Sequence, residues 1–275
     1  MDYKRKIDFA IKLYRSIPQD GPLEISYSGG KDSDVILRLA QMAGVPHEAI
    51  YKQTSIDPPG TTAHAKEMGA TIIRPKMTFL DIIRKKGTPT RWARFCCEIL
   101  KEYKIYDRAV QGIRREESTK RMRNYKEPEQ CRLYSNGEKV RAYFPILDWS
   151  LEDVARFLDE QEIKLAPAYY DEAGVVHYER RLGCIGCPLK SDCGKADYLR
   201  YPKLLKAIVK AETDYLESHP NVRARAIMGD AYGVLFNNLF CDSREQFESR
   251  VRPDLFREDA INPREYMSNY FGIEL

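Results

Sequence analysis

The hexapeptide Ser28-Gly29-Gly30-Lys31-Asp32-Ser33 follows Leu23-Glu24-Ile25-Ser26-Tyr27, which reads as a short strand. It precedes a segment with helical periodicity (Val35, Ile36, Leu39, Met42) that ends near Gly44. Strand, glycine turn and helix in that order point to an α/β architecture in which the turn faces a ligand. Two glycines let backbone N–H groups turn inward without a Cβ in the way. Lys31 adds positive charge, and the helix aims its N-terminus at whatever anion sits there. Ser28 and Ser33 add hydroxyl donors. The loop is not a Walker A motif, because Asp rather than Ser or Thr follows the lysine and the glycine spacing differs.

The alternation continues along the chain. A basic helix (Tyr3 to Ser16) comes first. A second strand (Ala49 to Thr54), a helix (Thr61 to Met68) and a third strand (Ala70 to Pro75) follow the loop. Phe79 to Lys86 and Phe95 to Tyr106 read as helices, and Arg108 to Ile113 and Val140 to Leu147 as strands. Ser150 opens a capped helix, with Asp153 near its positive end. A Gly- and Cys-rich loop spans Ala173 to Gly194. Tyr198 to Ser218 and Arg223 to Phe240 read as long helices, and the polar tail has only weak periodicity. The pattern predicts a three-layer α/β/α fold with a mostly parallel, doubly wound sheet plus a C-terminal helical extension. The division falls near residue 195, giving domains 1–195 and 196–275.

The longest stretch without a charged side chain, Ala231 to Cys241, has 11 residues. A membrane-spanning helix needs about 20, so no membrane segment is predicted. Asp8, Lys12 and Arg15 interrupt the N-terminal region, which excludes a secretory h-region and predicts a cytoplasmic protein. Between Gly112 and Arg141 nine basic residues face five acidic ones, an excess equal to the whole net charge of +4. Such a segment can track a nucleic-acid backbone, but a phosphate pocket or a solvated loop explains it more simply. Tyr125 and Tyr134 are the only aromatic residues interleaved before Tyr143.

Seven cysteines in a reducing compartment read as ligands or redox groups. Cys96-Cys97 lies on a predicted helix, and Cys184-Ile185-Gly186-Cys187 in the glycine-rich loop. Neighbouring helical residues project about 100° apart. Adjacent thiolates are therefore awkward on one tetrahedral zinc but can reach different irons of a 4Fe-4S cube, with the Cys-x-x-Cys loop supplying the other two ligands. Zinc held by Cys96, Cys97, Cys184 and Cys187, and unliganded cysteines or a redox pair, are the alternatives. Cys131, Cys193 and Cys241 look less committed.

With these pieces the chain resembles the phosphoadenosine phosphosulfate (PAPS) reductase family, within the adenine-nucleotide α-hydrolase-like superfamily whose PP-loop signature is Ser-Gly-Gly-x-Asp-Ser. The resemblance runs from about Leu23 to Leu189. It rests on Ser28 to Ser33, Thr54-Ser55-Ile56-Asp57-Pro58-Pro59, Arg91-Trp92 with Cys96-Cys97 and Lys101, and Gly112-Ile113-Arg114-Arg115-Glu116-Glu117-Ser118. Pro145 to Ser150 with Asp153-Val154, and Arg181-Leu182-Gly183-Cys184-Ile185-Gly186-Cys187-Pro188, complete it. The resemblance implies an adenine nucleotide (ATP, adenosine phosphosulfate (APS) or PAPS) bound by Ser28, Gly29, Gly30, Lys31, Asp32, Ser33, Thr54, Asp57, Arg114, Glu117, Ser118 and Arg181. The four-cysteine pattern looks like that of the cluster-bearing APS reductases.

One departure is large. Reductases of this family attack sulfur with a cysteine in a C-terminal Glu-Cys-Gly-x-His segment, whereas Arg264 to Leu275 contains neither cysteine nor histidine. The reading that follows is an ATP pyrophosphatase that adenylates a substrate for sulfur transfer. Lys31, Asp32 and Arg114 are its catalytic residues, Mg²⁺ sits beside Asp32, and a protein sulfur or electron donor serves as partner. The alternatives are a sulfonucleotide reductase using Cys241 or a partner's thiol, and a non-catalytic nucleotide-binding accessory of a nucleic-acid modification or defence (CRISPR-like) system.

Overall fold

The computed structural model describes residues 2–134, 136–252 and 260–275. The elements are α1 (Tyr3–Ser16), β1 (Glu24–Tyr27), α2 (Lys31–Ala43), β2 (Glu48–Lys52), α3 (Thr61–Glu67), β3 (Thr71–Ile73), α4 (Phe79–Lys86), α5 (Phe95–Leu100) and β4 (Arg108–Val110). Then come α6 (Thr119–Asn124), β5 (Glu129–Leu133), β6 (Lys139–Tyr143) and α7 (Leu151–Glu160). The rest is helical: α8 (Lys195–Arg200), α9 (Pro202–Ser218), α10 (Arg223–Met228), α11 (Ala231–Phe240), α12 (Arg244–Val251) and α13 (Pro263–Phe271). Two compact units emerge, Met1–Pro75 with Glu98–Gly183, and Lys76–Cys97 with Cys184–Leu275.

The first unit holds a six-stranded sheet in the order β3-β2-β1-β4-β6-β5. Every pairing is parallel except that of the edge strand β5 with β6. The chain winds outward from β1 through β2 to β3, then returns to place β4 on the other side of β1. That reversal makes the sheet doubly wound and puts its topological switch point between β1 and β4, where ligands of such sheets bind at the carboxyl ends of the strands.

Successive side chains of a strand face opposite sides. Ile25 and Tyr27 enter an apolar core with α1, α2 and α7, where Ala10, Tyr14, Val35, Ile36, Leu39, Trp149, Val154 and Phe157 are buried. Tyr14 brings its one polar atom along, donating to the Ile36 carbonyl at 2.6 Å, which removes the penalty of burying it. Ser150 caps α7 in a reciprocal capping box with Asp153. Truncating Trp149, stacked edge-on with Tyr3 and Phe157, to alanine would cost about 3–5 kcal/mol.

In the second unit α4 packs on α9, and α11 packs on α9 and α13. Buried Glu212 of α9 accepts from the Thr88 N–H at 2.6 Å and its hydroxyl at 2.7 Å. Phe236, Phe240, Tyr266, Tyr270 and Phe271 form a chain of edge-on and stacked rings.

Several elements differ from the sequence reading. The helix expected over Phe95 to Tyr106 stops at Leu100, and the strand expected to Ile113 stops at Val110. The segment Tyr198 to Ser218 breaks at Tyr201, where Pro202 starts α9. Arg223 to Phe240 breaks at Gly229-Asp230, where Asp230 caps α11 through the Gly233 N–H. In the tail, residues 253–259 lie outside the described residues, and α12 and α13 flank them.

Candidate functional site

The glycine loop leaves β1 at Tyr27 and enters α2 at Lys31. Gly29 has φ +76°, and a Cβ there would meet Thr61 Cγ2 at 2.6 Å, so the turn admits only glycine. The second close approach is Gly112 beyond β4, where a Cβ would lie 2.8 Å from the Asp32 carbonyl oxygen. These glycines let the loops after β1 and β4 converge on the switch point.

A cavity of about 300 Å³ opens there, lined by Ser26, Ser28, Gly30, Lys31, Asp32, Ser33, Gly112, Glu117, Arg121, Tyr169, Arg181 and Leu182. The N-terminus of the thirteen-residue helix α2 opens into it, and Gly30 caps that helix without a side chain. The first-turn N–H groups of Lys31 and Ser33 donate to the Tyr169 hydroxyl and the Gly30 carbonyl, so the helix offers the crevice the positive end of its dipole, which favours an anion. Ser33 turns its hydroxyl back to the Gly30 carbonyl at 2.6 Å.

Lys31 is buried, and its Nζ lies 3.3 Å from the Arg180 carbonyl and 3.5 Å from Asp32. Burial holds its pKa below the ordinary lysine value. The loss of solvation leaves a cation whose best available partner is a bound anion. Asp32 also accepts from Arg114 Nε at 2.7 Å, and the buried Arg114 reaches Glu116 at 3.4 Å. Arg114 thus fixes Asp32 from behind rather than lining the cavity. Arg181 donates to the Glu117 carbonyl at 3.0 Å, and Arg121 pairs with the Glu117 carboxylate one helical turn away. Burial and the neighbouring Arg181 lower the pKa of Arg121. Tyr169 accepts from the Lys31 N–H at 3.1 Å through a phenol that burial pushes up to about 12.

Of the residues the sequence reading selected, Ser28, Gly30, Lys31, Asp32, Ser33, Glu117 and Arg181 therefore line one cavity. Gly29 shapes it. Ser118 spends its hydroxyl on capping α6, accepting from the Arg121 N–H at 3.2 Å. Thr54 and Asp57 bond to each other, the carboxylate accepting from the Thr54 N–H at 2.7 Å and its hydroxyl at 2.8 Å. That closed turn follows β2, and neither residue lines this cavity. Sequence reasoning did not select Ser26, Gly112, Arg121, Tyr169 or Leu182 for the site. Arg121 had one signal, its position four residues after Glu117; Tyr169 had none.

The cysteines of interest all belong to the second unit. Arg91 clamps the Cys-x-x-Cys loop, donating to the Pro188 carbonyl at 3.1 Å and the Lys190 carbonyl at 2.9 Å. From α8, Asp197 accepts from the Gly186 N–H at 2.7 Å and from Lys190 at 2.6 Å, and Tyr198 donates to the Gly186 carbonyl at 3.2 Å. These bonds bring the loop beside Cys96 and Cys97. The Cys96 thiol is pushed well up by a hydrogen bond with Cys97, by burial and by the neighbouring Cys184 and Cys187. Among the described residues, no three Cys, His, Asp or Glu side chains converge tightly enough to hold one metal ion. No helix among them is long and apolar enough to cross a membrane.

A family model described as the phosphoadenosine phosphosulfate reductase domain matches residues 22–190. An uncharacterized protein of Methanocaldococcus jannaschii is 30% identical over 209 residues, covering 71% of this chain and 47% of that protein. Sulfate adenylyltransferase subunit 2 of Allorhizobium ampelinum is 29% identical over 204 residues, covering 59% of this chain and 62% of that protein. The chain thus spans about half to three fifths of the length of these curated relatives. Among solved structures, PAPS reductase from Candida auris in a phosphate complex aligns with a TM-score of 0.43 at 15% identity, over 66% of this chain and 93% of that one. Candida glabrata FMN adenylyltransferase in complex with ATP aligns with a TM-score of 0.45 at 18% identity, over 67% and 62%. The family match takes in both the glycine loop and the Cys-x-x-Cys loop, and the chain belongs to the phosphoadenosine phosphosulfate reductase domain family.

Proposed function

We propose that this protein binds ATP at the switch-point crevice, cleaves it between the α and β phosphates, and transfers the adenylyl group to an acceptor in sulfur metabolism. The observation that carries the reading is the convergence of Lys31, Arg121 and Arg181 with the N-terminus of α2 around one polar cavity. Pyrophosphate is a strong anion that such a cradle can hold as it leaves. Backbone N–H groups of the loop and the three cations oppose the charge that builds on the departing oxygen, in a site whose dipoles are already oriented. Arg114 keeps the Asp32 carboxylate at the rim and Tyr169 steadies the Lys31 backbone. The similarity to sulfate adenylyltransferase subunit 2 supports adenylyl transfer as the reaction class.

Asp32 and Glu117 are the carboxylates that line the crevice, and Asp32 would reach a divalent cation by exchanging its 3.5 Å contact with Lys31. Mg²⁺, which binds through one or two carboxylates plus phosphate oxygens, would supply further charge neutralisation on the leaving pyrophosphate.

A 4Fe-4S cluster is the group we assign to Cys96, Cys97, Cys184 and Cys187. The reading is supported by the proximity of the Cys-Cys pair to the Cys-x-x-Cys loop, since Cys97, Cys184 and Cys187 all act on the Cys96 thiol, and four neighbouring thiolates are the donor set of such a cluster. It would supply a sulfide or electron store, or a structural tie.

Product analysis tests the reading. With ATP, Mg²⁺ and a panel of acceptors, AMP or an adenylate and pyrophosphate are expected, and Lys31→Ala should abolish both. ADP and phosphate as products, or nucleotide binding indifferent to Lys31, contradicts it.

A further inference from the structure

Parallel strands are normally apolar on both faces, because both are covered. The sheet of the first unit breaks that rule on the face opposite Ile25 and Tyr27. Glu24 and Ser26 of β1 pair with Glu48 and Ile50 of β2, so Glu24, Ser26, Ile50 and Lys52 share this face. The register carries it on to Gln111 beyond β4 and, through Ala142 and Val140 of β6, to Arg132 and Tyr134 at the far edge. A cavity of about 200 Å³ lies at this strip, and Glu24, Ser26, Lys52, Gln111, Arg132 and Glu102 are among the residues that line it, as are Tyr27 and Tyr51 from the alternate register positions. It shares Ser26 and Ser28 with the phosphate crevice.

Its charges are unevenly satisfied. Glu24, 2% exposed, accepts from Ser26 at 2.9 Å and from Lys52 at 3.2 Å, and Lys52 also donates to the Tyr103 carbonyl at 2.7 Å. That pair is neutral and closed. Arg132 instead donates to the side-chain oxygen of Gln111 at 2.6 Å and has no carboxylate partner among the described residues. A guanidinium facing a neutral amide in a half-buried cavity keeps donors for a planar anion.

We infer that this cavity is the acceptor subsite, taking a small molecule with a single carboxylate or oxyanion that Arg132 binds beside the α-phosphate. This rests on the adenylyl-transfer reading. An acceptor oxygen attacks the α-phosphorus and forms a P–O bond. The bond to the β-phosphate oxygen breaks, its electron pair leaving with pyrophosphate into the adjoining crevice. Atoms and charge balance with ATP as the only co-reactant.

Calorimetric titration of inorganic sulfate, and separately of acetate, into the full chain saturated with pyrophosphate tests the assignment. One further anion site is expected, weakened about ten- to a hundredfold by Arg132→Gln, with Arg132→Lys intermediate. Arg181→Ala should weaken pyrophosphate and spare the second site. No uptake beyond the pyrophosphate site, or uptake indifferent to Arg132, overturns the inference. If pyrophosphate itself fails to bind, the adenylyl-transfer reading falls, while the dependence of sulfate uptake on Arg132 still decides the subsite. Circular dichroism of each variant separates lost binding from lost folding.

Discussion

Nε2 of His64 on α3 lies 3.1 Å from both carboxylate oxygens of Asp34 on α2, with both residues buried directly behind the glycine loop. Tyr27, at the end of β1, donates to the same carboxylate. β1, α2 and α3 are thus joined through one buried acid. Asp34→Ala, which leaves the imidazole and the phenol without their partner, should cost about 3 kcal/mol in urea denaturation. Asp34→Asn should cost less.

Burial raises the pKa of Asp34 above the ordinary carboxylate value. The folded state therefore holds its proton more tightly than the unfolded chain does. The stability this contributes is complete below pH about 4 and is lost as pH rises through the folded-state value. Asp34→Asn should flatten that part of the stability profile. An unchanged slope would show that Asp34 does not titrate in this way.

Gly29 and Thr61 form a second coupled pair. Gly29→Ala meets both a left-handed backbone and the Thr61 methyl, and should destabilise by about 2 kcal/mol. Thr61→Ser removes the methyl, so the double variant should recover part of that loss. Additive losses in a double-mutant cycle would contradict the contact.

Lys31 sits where function and stability oppose each other. Its pKa is lowered chiefly by burial, so the folded protein carries a penalty for the charged form at neutral pH. That penalty disappears as pH rises toward the unfolded lysine value near 10.4. Lys31→Met should raise stability by about 1 kcal/mol at pH 7, with the advantage shrinking as pH rises through the lowered folded-state value and gone by pH about 10.4, while pyrophosphate binding is lost. A destabilised variant would mean that the bonds to Asp32 and the Arg180 carbonyl outweigh burial.

Single Ser substitutions separate the cysteines. Replacing Cys96, Cys97, Cys184 or Cys187 should abolish the iron and acid-labile sulfide of anaerobically purified protein, whereas Cys131, Cys193 and Cys241 variants should retain both. Burial pushes the Cys241 thiol up, which opposes a role as a thiolate nucleophile. A sulfite adduct on Cys241 after incubation with APS or PAPS would favour reductase chemistry instead.

The glycine loop, the alternation of strands and helices and the paired cysteine motifs are written in local pattern, and α1 and α4 match their sequence-predicted bounds residue for residue. β5 escaped because Glu129-Gln130-Cys131-Arg132-Leu133 is mostly polar and exposes Glu129, Cys131 and Leu133, so it lacks the apolar run of a buried parallel strand. α9 starts at Pro202 and α11 at Ala231 behind its Asp230 cap, breaks that an apolar period runs across. Within the site, Tyr169 arrives from a loop more than a hundred residues beyond Lys31, and only the fold brings it there. The polar face of the sheet was visible in part, since Glu24 and Ser26 interrupt a run that a fully covered strand would make apolar.

The exchange of labelled pyrophosphate into ATP probes the central claim most directly, because it requires reversible adenylyl transfer at a site that holds pyrophosphate. With Mg²⁺ and the right acceptor, label should enter ATP in the wild type, fall steeply in Arg181→Ala and vanish in Lys31→Ala. ATP that binds the crevice yet never acquires label with any acceptor would contradict the assignment.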